Sequence, residues 1–183
     1  MMSTADEISI ALYNRFNCGI ASSPMFSNVV LLNSPWESDV LAVSKAYYFT
    51  EYEIKLSLAD FRADFQKSVR GYSAKSPLKH DLYASGQAIT ENLYRTNHGE
   101  LVPKPARFYF VTPAGLLDGV EIPPHCGHLE YHEGRSGYYE RVQEAQKAPR
   151  LKKPTKLSME QLYNLATKSA AKAHRYRRSA QTD

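Results

Sequence analysis

The chain has 183 residues, 43% of them hydrophobic and 23% charged, a composition that excludes a wholly disordered protein. It contains no run of about 18 apolar residues, so we expect no contact with a membrane. Its N-terminus lacks the basic start of a signal peptide. Two cysteines, Cys18 and Cys126, are too few for a disulfide framework, although a bond between them stays open. We therefore expect a cytoplasmic protein, in a bacterium or a phage-infected cell.

The charge is distributed unevenly along the chain. Residues 1–146 carry a net charge of −4, whereas residues 147–178 carry +9. This contrast predicts a folded domain over 1–146 and a basic linker with a C-terminal helix over 147–183. Such a basic segment indicates a polyanion or an acidic protein as partner, and a solvated tail without a partner is the alternative.

The first part of the chain predicts a helix followed by three strands. Apolar residues recur at helical spacing over residues 4–16, after acidic residues in the first turn. Residues 26–33, 36–43 and 46–56 have the composition of strands, and a tight turn at 44–45 joins the last two. We expect an antiparallel meander here.

A helix should follow the meander, because Ser57 is a suitable N-cap and Asp60 stands at the capping-box position. Residues 79–94 predict a further helix, and the Gly and Pro content of 97–105 indicates a loop.

The remaining elements are two strands and a final helix. Residues 107–112 predict a buried strand that Pro113 ends, and residues 127–132 predict a short one. A helix should run over 158–177. This order of elements predicts an α+β fold, with a mixed β-sheet flanked by helices.

One group of polar residues stands out on the predicted meander. Asp39 lies in the second strand, and Glu53 and Lys55 lie in the third, joined to it by a hairpin. Side chains two apart on a strand share a face, so Glu51, Glu53 and Lys55 project together, away from the apolar residues between them. Burying such charges is unfavourable unless they are paired or bind a metal.

These residue types suit hydrolysis of a phosphodiester bond. Mg²⁺ and Mn²⁺ prefer oxygen ligands, typically one or two carboxylates and several waters. A bound cation neutralises the phosphate and generates hydroxide from water, while a neighbouring lysine orients water or stabilises developing charge. Taken alone, however, the pattern is also that of alternating charges on an exposed strand.

The segments SDVLAV (38–43) and EYEIKLSLADFRADFQK (51–67) closely resemble the active-site region of the PD-(D/E)xK nuclease-like superfamily. The run E-I-K followed by S-x-x-D-F-R-A-D is similar to the MmcB-type group of DNA-repair-associated proteins and to similar phage proteins. The likeness extends to KHDLYASGQ (79–87), RFYFVTPAGL (107–116) and EIPPHCGHLEY (121–131).

This resemblance, which spans roughly residues 4–133, implies a restriction-endonuclease-like core. It implies that Asp39 and Glu53 bind Mg²⁺ or Mn²⁺ and that Lys55 assists the attacking water. The backbone carbonyl of Ile54 and a carboxylate of the first helix, for which Glu7 is the candidate, would complete the ligands. The sequence departs from the family at His128, where an apolar or small residue is usual.

Two groups of basic residues are predicted to face a nucleic acid. The first follows from the resemblance and the second from the charge of the basic segment. They are Lys67, Lys79 and His80 in the first group, and Lys152, Lys153, Lys168, Lys172 and Arg175 in the second.

The function predicted is therefore a divalent-metal-dependent nuclease that hydrolyses DNA. One alternative keeps the fold without catalysis, as a DNA-binding or protein-binding module such as a phage factor or a repair accessory. Another is an inhibitor of a host protein that acts through the basic tail.

Two further patterns are interpreted as ordinary surface features. Asp60 and Asp64 should lie on a solvated helix face. The run His125, Cys126, His128 and His132 invites a zinc interpretation, but its spacing fits no standard finger and surface histidines are the preferred interpretation.

Overall fold

The computed structural model describes residues 5–17, 23–32, 34–68, 78–85, 102–134 and 141–179, with the side chains of the last range described through residue 174. No helix among these residues is long and apolar enough to cross a membrane. Cys18 and residues 86–101 lie outside the described residues, as do most of the predicted helix over 79–94 and the start of the loop over 97–105.

The described residues form helices and strands in the predicted order, with one strand added. The helices are α1 (Ala5–Asn17), α2 (Leu58–Asp64), α3 (Lys79–Ala84) and α4 (Met159–Ser179). The strands are β1 (Met25–Val30), β2 (Glu37–Val43), β3 (Phe49–Ile54), β4 (Arg107–Pro113), β5 (Gly127–Tyr131) and β6 (Val142–Gln146).

The described strands form one sheet in the order β1-β2-β3-β4-β5-β6. β1, β2 and β3 pair antiparallel, as do β5 and β6, whereas β4 runs parallel to both β3 and β5. The helices flank this sheet. The predicted α+β fold with a mixed sheet is thus confirmed.

The two faces of the sheet bury separate apolar clusters, because successive side chains of a strand point to opposite faces. On one face, Ile8 and Leu12 of α1 pack with Tyr52 and Ile54 of β3. On the other face, a second cluster joins the aromatic residues of β4 to Phe61 of α2 and to α3. The charged residues of β3 point to this second face, beneath α2 and α3.

Helix α4 covers the edge strand β1. Leu165 is fully buried in a cluster with residues of β1, β2 and β3. Lys168 donates a hydrogen bond from Nζ to the carbonyl oxygen of Val30 (2.8 Å), and Lys172 donates one to that of Ser27 (3.3 Å). These lysines occupy backbone acceptors that an edge strand would otherwise present to another chain.

The segment between β6 and α4 is bound to the sheet by backbone hydrogen bonds. The amide of Leu151 donates to the carbonyl oxygen of Ala106 (2.9 Å), and that of Leu157 to Tyr47 (2.8 Å). The segment after residue 146 is therefore held against the rest of the fold by these two hydrogen bonds. A domain boundary at residue 146 stays a prediction.

Three elements differ from expectation. The hairpin between β2 and β3 is longer than a turn at 44–45, because Tyr47 adopts a left-handed backbone conformation (φ 65°) and β3 begins only at Phe49. The helix that Ser57 caps ends at Asp64, although apolar residues at helical spacing continue in the sequence to Phe65 and Val69 and predicted a longer helix. β6 was not predicted, because four of its five residues are exposed or half-buried and give no alternating pattern.

Candidate functional site

The candidate site is built on β3, which carries acidic side chains into the interior. Glu51 and Glu53 are each 1% exposed, and Lys55, directly after the strand, is 3% exposed. In the parallel register, Glu51 lies beside Phe108 and Glu53 beside Phe110 of β4. The predicted common face is therefore present, and it is buried.

Asp39 lies on the neighbouring strand at the same level. β2 pairs with β3 through Val40 and Tyr52, so the next step of the register sets Asp39 opposite Glu53. Oδ2 of Asp39 accepts a hydrogen bond from the backbone amide of Ile54 (2.7 Å). Burial, and after it the negative charge of Glu53, raises the pKa of Asp39 to about 6.

The carboxylate of Glu53 is surrounded by three lysines. Lys79 donates to Oε1 at 2.6 Å, while Lys67 and Lys55 lie 3.0 and 3.2 Å from Oε2. Burial alone would raise the pKa of Glu53, but these ammonium groups outweigh it and lower the pKa to about 2. Glu53 is therefore ionised at neutral pH.

Asp64 provides a second acidic centre from the end of α2. Ser57 caps this helix by accepting a hydrogen bond from the amide of Asp60 (3.1 Å), which fixes where the helix starts. Asp64 then turns inward, with Oδ1 at 2.6 Å from Nζ of Lys67 and 2.9 Å from Nζ of Lys55. Its interpretation as a solvated residue is wrong, because it is 1% exposed and faces the charges of β3.

Lys79 connects Glu53 to Glu51 beneath α3. Nζ of this fully buried lysine lies 2.8 Å from Oε1 of Glu51, whose Oε2 accepts a hydrogen bond from the hydroxyl of Tyr83 (2.5 Å). Nearby carboxylates keep the pKa of Lys79 above its ordinary value despite burial. The described residues thus hold a network of three carboxyl groups and three lysines, largely buried, in which burial raises the pKa of Glu51.

Asp39 lies between this network and a cleft that is open to solvent. It lines a cleft of about 610 Å³ together with Trp36, Glu37 and Lys67. The side chain of Lys67 is 35% exposed, so it reaches the cleft while its amine stays paired with Glu53. Among the described residues that line this cleft, Lys67 is the basic one, and Glu37 and Asp39 are acidic.

A smaller cavity, of about 200 Å³, approaches Asp39 from the side of α1. Asp6 and Ile54 line this cavity with it. Glu7, the predicted ligand from the first helix, is exposed and does not line the cavity. If α1 supplies a carboxylate, the geometry favours Asp6.

Two of the residues predicted to face a nucleic acid lie in the interior, and for the others the prediction stays untested. Lys79 and His80 are buried, because α3 packs both against the acidic face of the sheet. Lys168 and Lys172 contact the backbone of β1, as described above. Lys152 and Lys153 are exposed, and the side chain of Arg175 lies outside the described residues.

The histidine and cysteine run does not lie on the surface as expected. Cys126 and His128 are buried, and Nε2 of His128 lies 2.9 Å from the hydroxyl oxygen of Thr112. His132 lies 3.8 Å from Glu130. His125 instead meets His80, a contact between residues 45 positions apart that the sequence spacing did not indicate.

Comparisons with known proteins do not assign this chain to a family. Neither protein-family models nor curated proteins match it. Among solved structures, a protein of unknown function from Silicibacter pomeroyi is similar over 86% of this chain and 78% of its own, at 16% identity and a TM-score of 0.46. Likeness at this level assigns neither a family nor a function to this chain.

The carboxylate oxygens of Asp39 and Glu53 are suitable ligands for a hard divalent cation, provided that one of the lysines around Glu53 moves away. Burial and, after it, the negative charge of Glu53 raise the pKa of Asp39, and a divalent cation would stabilise the ionised form against both effects. Asp39 retains acceptor capacity beyond its one bond to Ile54. Glu53 already accepts from three lysines, so a cation would have to replace one of them.

Proposed function

We propose that the protein is a divalent-metal-dependent nuclease that hydrolyses DNA phosphodiester bonds, on a core of the restriction-endonuclease type. The observation that carries the proposal is the convergence of Asp39, Glu53 and Lys55 at adjacent positions of β2 and β3. The resemblance to MmcB-type and phage proteins supports a role in DNA repair or phage biology, in the cytoplasm.

Asp39 and Glu53 would hold Mg²⁺ or Mn²⁺, with the Ile54 carbonyl as a further ligand. When bound, the cation would neutralise the phosphate and lower the pKa of a water molecule. The 2.7 Å bond from the Ile54 amide keeps the Asp39 carboxylate oriented at the strand end. Because Asp39 lines the cleft, a metal ion bound to it would be accessible to a substrate.

The lysines supply positive charge next to these carboxylates. Lys55 is held between Glu53 and Asp64, so its ammonium group is fixed in position and remains charged. Such a preorganised cation stabilises negative charge that develops on phosphate oxygens. Lys67, at the cleft wall, would contact the phosphate directly.

A second candidate is a module of the same fold that binds DNA or a protein without cleaving it. The observation that favours it is the full pairing of Glu53 with three lysines, which neutralises the charge that a cation requires. Exposed Lys152 and Lys153 would then hold phosphates, or an acidic partner protein, through charge alone.

Cleavage assays separate the two candidates. Labelled single-stranded and double-stranded DNA is incubated with Mg²⁺, Mn²⁺ or a chelator, using the wild type, Asp39→Asn and Lys55→Met. The exposed Asp118→Asn and Lys45→Met serve as matched controls. A nuclease requires metal, retains activity in both controls, and loses about 100-fold or more of its rate in Lys55→Met.

Two outcomes would decide against the nuclease. Cleavage that persists in both folded site variants would assign the activity to a contaminant or to another site. DNA binding by the wild type without cleavage under either metal would support the silent module instead.

A further inference from the structure

Three potential metal ligands converge near the oxygen of Asp64 that does not contact Lys55 and Lys67. His80 belongs to α3, and His125 and Cys126 belong to the turn before β5; we call these residues the His-His-Cys cluster. Nδ1 of His80 lies 2.9 Å from Nε2 of His125 and 3.9 Å from Sγ of Cys126. All three ligand atoms lie within 4.8 Å of one another.

Asp64 fixes the orientation of the first ligand. Nε2 of His80 lies 2.8 Å from Oδ2 of Asp64. The other oxygen of Asp64 lies 2.6 and 2.9 Å from two lysine ammonium groups, which favour the ionised carboxylate, so Asp64 accepts the hydrogen bond from His80. The proton of a neutral His80 therefore belongs on Nε2, and the lone pair of Nδ1 points at His125 and Cys126. A carboxylate behind a histidine in this way is the usual support of a metal-binding imidazole.

The distances suit a tetrahedral ion. Bonds of about 2.0–2.1 Å to nitrogen and about 2.3 Å to sulfur place the ligand atoms of a zinc site roughly 3.3–3.8 Å apart. The separations of 2.9 and 3.9 Å differ from this by less than about half an ångström. The third pair, Nε2 of His125 and Sγ of Cys126, lies within 4.8 Å, so rotation of these side chains would bring the ligands to bonding distance.

The surroundings keep His80 and Cys126 out of bulk water, while His125 is half-buried. The His80 ring packs against Phe65, with ring centroids 4.3 Å apart, and stacks on Phe110 at 5.7 Å. Cys126 is fully buried. A thiol and two imidazoles carry polar atoms that an apolar core does not require. The same three groups are ordinary ligands of a borderline-soft cation such as Zn²⁺.

From this geometry we infer that His80, His125 and Cys126 bind one Zn²⁺ ion, which clamps α3 to the turn before β5. Three protein ligands leave a fourth position, which a water molecule can fill. The site is separate from the one proposed for Mg²⁺ or Mn²⁺, because thiolate and imidazole ligands select against those cations. The inference does not rest on the nuclease activity.

Metal content and Co²⁺ substitution test this site. Untagged protein purified without chelator is analysed for Zn²⁺ by mass spectrometry, and apoprotein is titrated with Co²⁺, whose bond to a thiolate gives a charge-transfer absorption band. We expect about one ion per chain and the thiolate band in the wild type, consistent with a three-ligand site. Cys126→Ser should lose the band and most of the bound metal, whereas Cys18→Ser, the other cysteine, should keep both.

His125→Asn provides a second variant, because His125 is only half-buried and its replacement disturbs the fold less. Circular dichroism establishes that each variant is folded, and an unfolded Cys126→Ser leaves the decision to His125→Asn. Folded wild-type protein that gives no thiolate band overturns the inference. Co²⁺ binding with unchanged affinity in folded His125→Asn overturns it as well, because the cluster would then not be the site.

Discussion

Nζ of Lys79 lies 2.6 Å from Oε1 of Glu53, and both side chains are buried beneath α3. The same ammonium group lies 2.8 Å from Glu51, so one lysine from α3 compensates two carboxylates of β3. Removing one partner of a buried ion pair is strongly destabilising, because the other charge stays buried without compensation.

Lys79→Met is therefore expected to lower the free energy of unfolding by about 3–5 kcal/mol, since it leaves Glu51 and Glu53 short of one positive charge. Urea denaturation at neutral pH measures this loss. Lys45→Met, which removes an exposed lysine from a hairpin turn, should change stability by less than about 0.5 kcal/mol. A loss below about 1 kcal/mol in Lys79→Met would mean that the pair is not formed as described.

The pH dependence of stability should report Glu53. Its pKa is about 2 in the folded protein and 4.5 ordinarily, so the unfolded chain binds more protons as the pH falls below 4.5. The stabilisation, on the order of 3 kcal/mol, is thus present above pH 4.5 and lost as the pH falls toward 2. Glu53→Gln should be less stable at pH 6 and should show a flatter decline between pH 5 and pH 3. Parallel curves for the two proteins in denaturant titrations would contradict this.

The contribution of Asp39 to the pH dependence of stability should be opposite in sign to that of Glu53. Its folded pKa of about 6 exceeds the ordinary 3.8, so the folded protein binds more protons between these values and loses stability as the pH rises through 6. After a discount for its partial exposure, the ionised carboxylate lowers stability by about 2 kcal/mol at pH 8.

Asp39→Asn is expected to raise the free energy of unfolding by about that amount at pH 8, and to leave it nearly unchanged at pH 4, because its side-chain oxygen still accepts from Ile54. Chemical denaturation at the two pH values measures the difference, with Asp118→Asn as the control. A variant that is stabilised while it loses cleavage would identify Asp39 as a residue kept for function at a cost in stability. Equal destabilisation at both pH values would count against this role.

Exposed lysines before α4 should contribute to DNA affinity without sequence preference. Lys152→Gln combined with Lys153→Gln is expected to weaken DNA binding. The slope of log affinity against log salt concentration should become shallower by about 0.9 for each lysine–phosphate contact that is lost. Fluorescence anisotropy over a range of salt concentrations measures the slope. Lys45→Gln controls for the removal of charge elsewhere, and an unchanged slope in the double variant would exclude this surface from the interface.

Local patterns in the sequence were enough to predict part of this site. The period of two along a strand places Glu51, Glu53 and Lys55 together, and the hairpin brings Asp39 alongside them; both relationships are found. The cap at Ser57 likewise predicts where α2 begins.

The partners of these residues depend on tertiary packing and were not predictable in the same way. Lys67 and Lys79 reach Glu53 from 14 and 26 positions away, because α2 and α3 fold over one face of the sheet. A lysine at a helix start is usually solvated, so no local signal marks Lys79 as buried. The meeting of His80 with His125 depends on the same packing.

Asp64 faces two ways, with one oxygen toward Lys55 and Lys67 and the other toward His80. A shift of this carboxylate toward either side therefore changes the hydrogen bonding on the other. Coupling between two binding sites is reciprocal. A ligand at the first site changes the affinity of the second site by the same factor as a ligand at the second site changes the affinity of the first. If the His-His-Cys cluster binds Zn²⁺ and Asp39 with Glu53 binds Mg²⁺, as proposed, the two affinities are expected to be coupled, and Asp64→Asn should weaken that coupling.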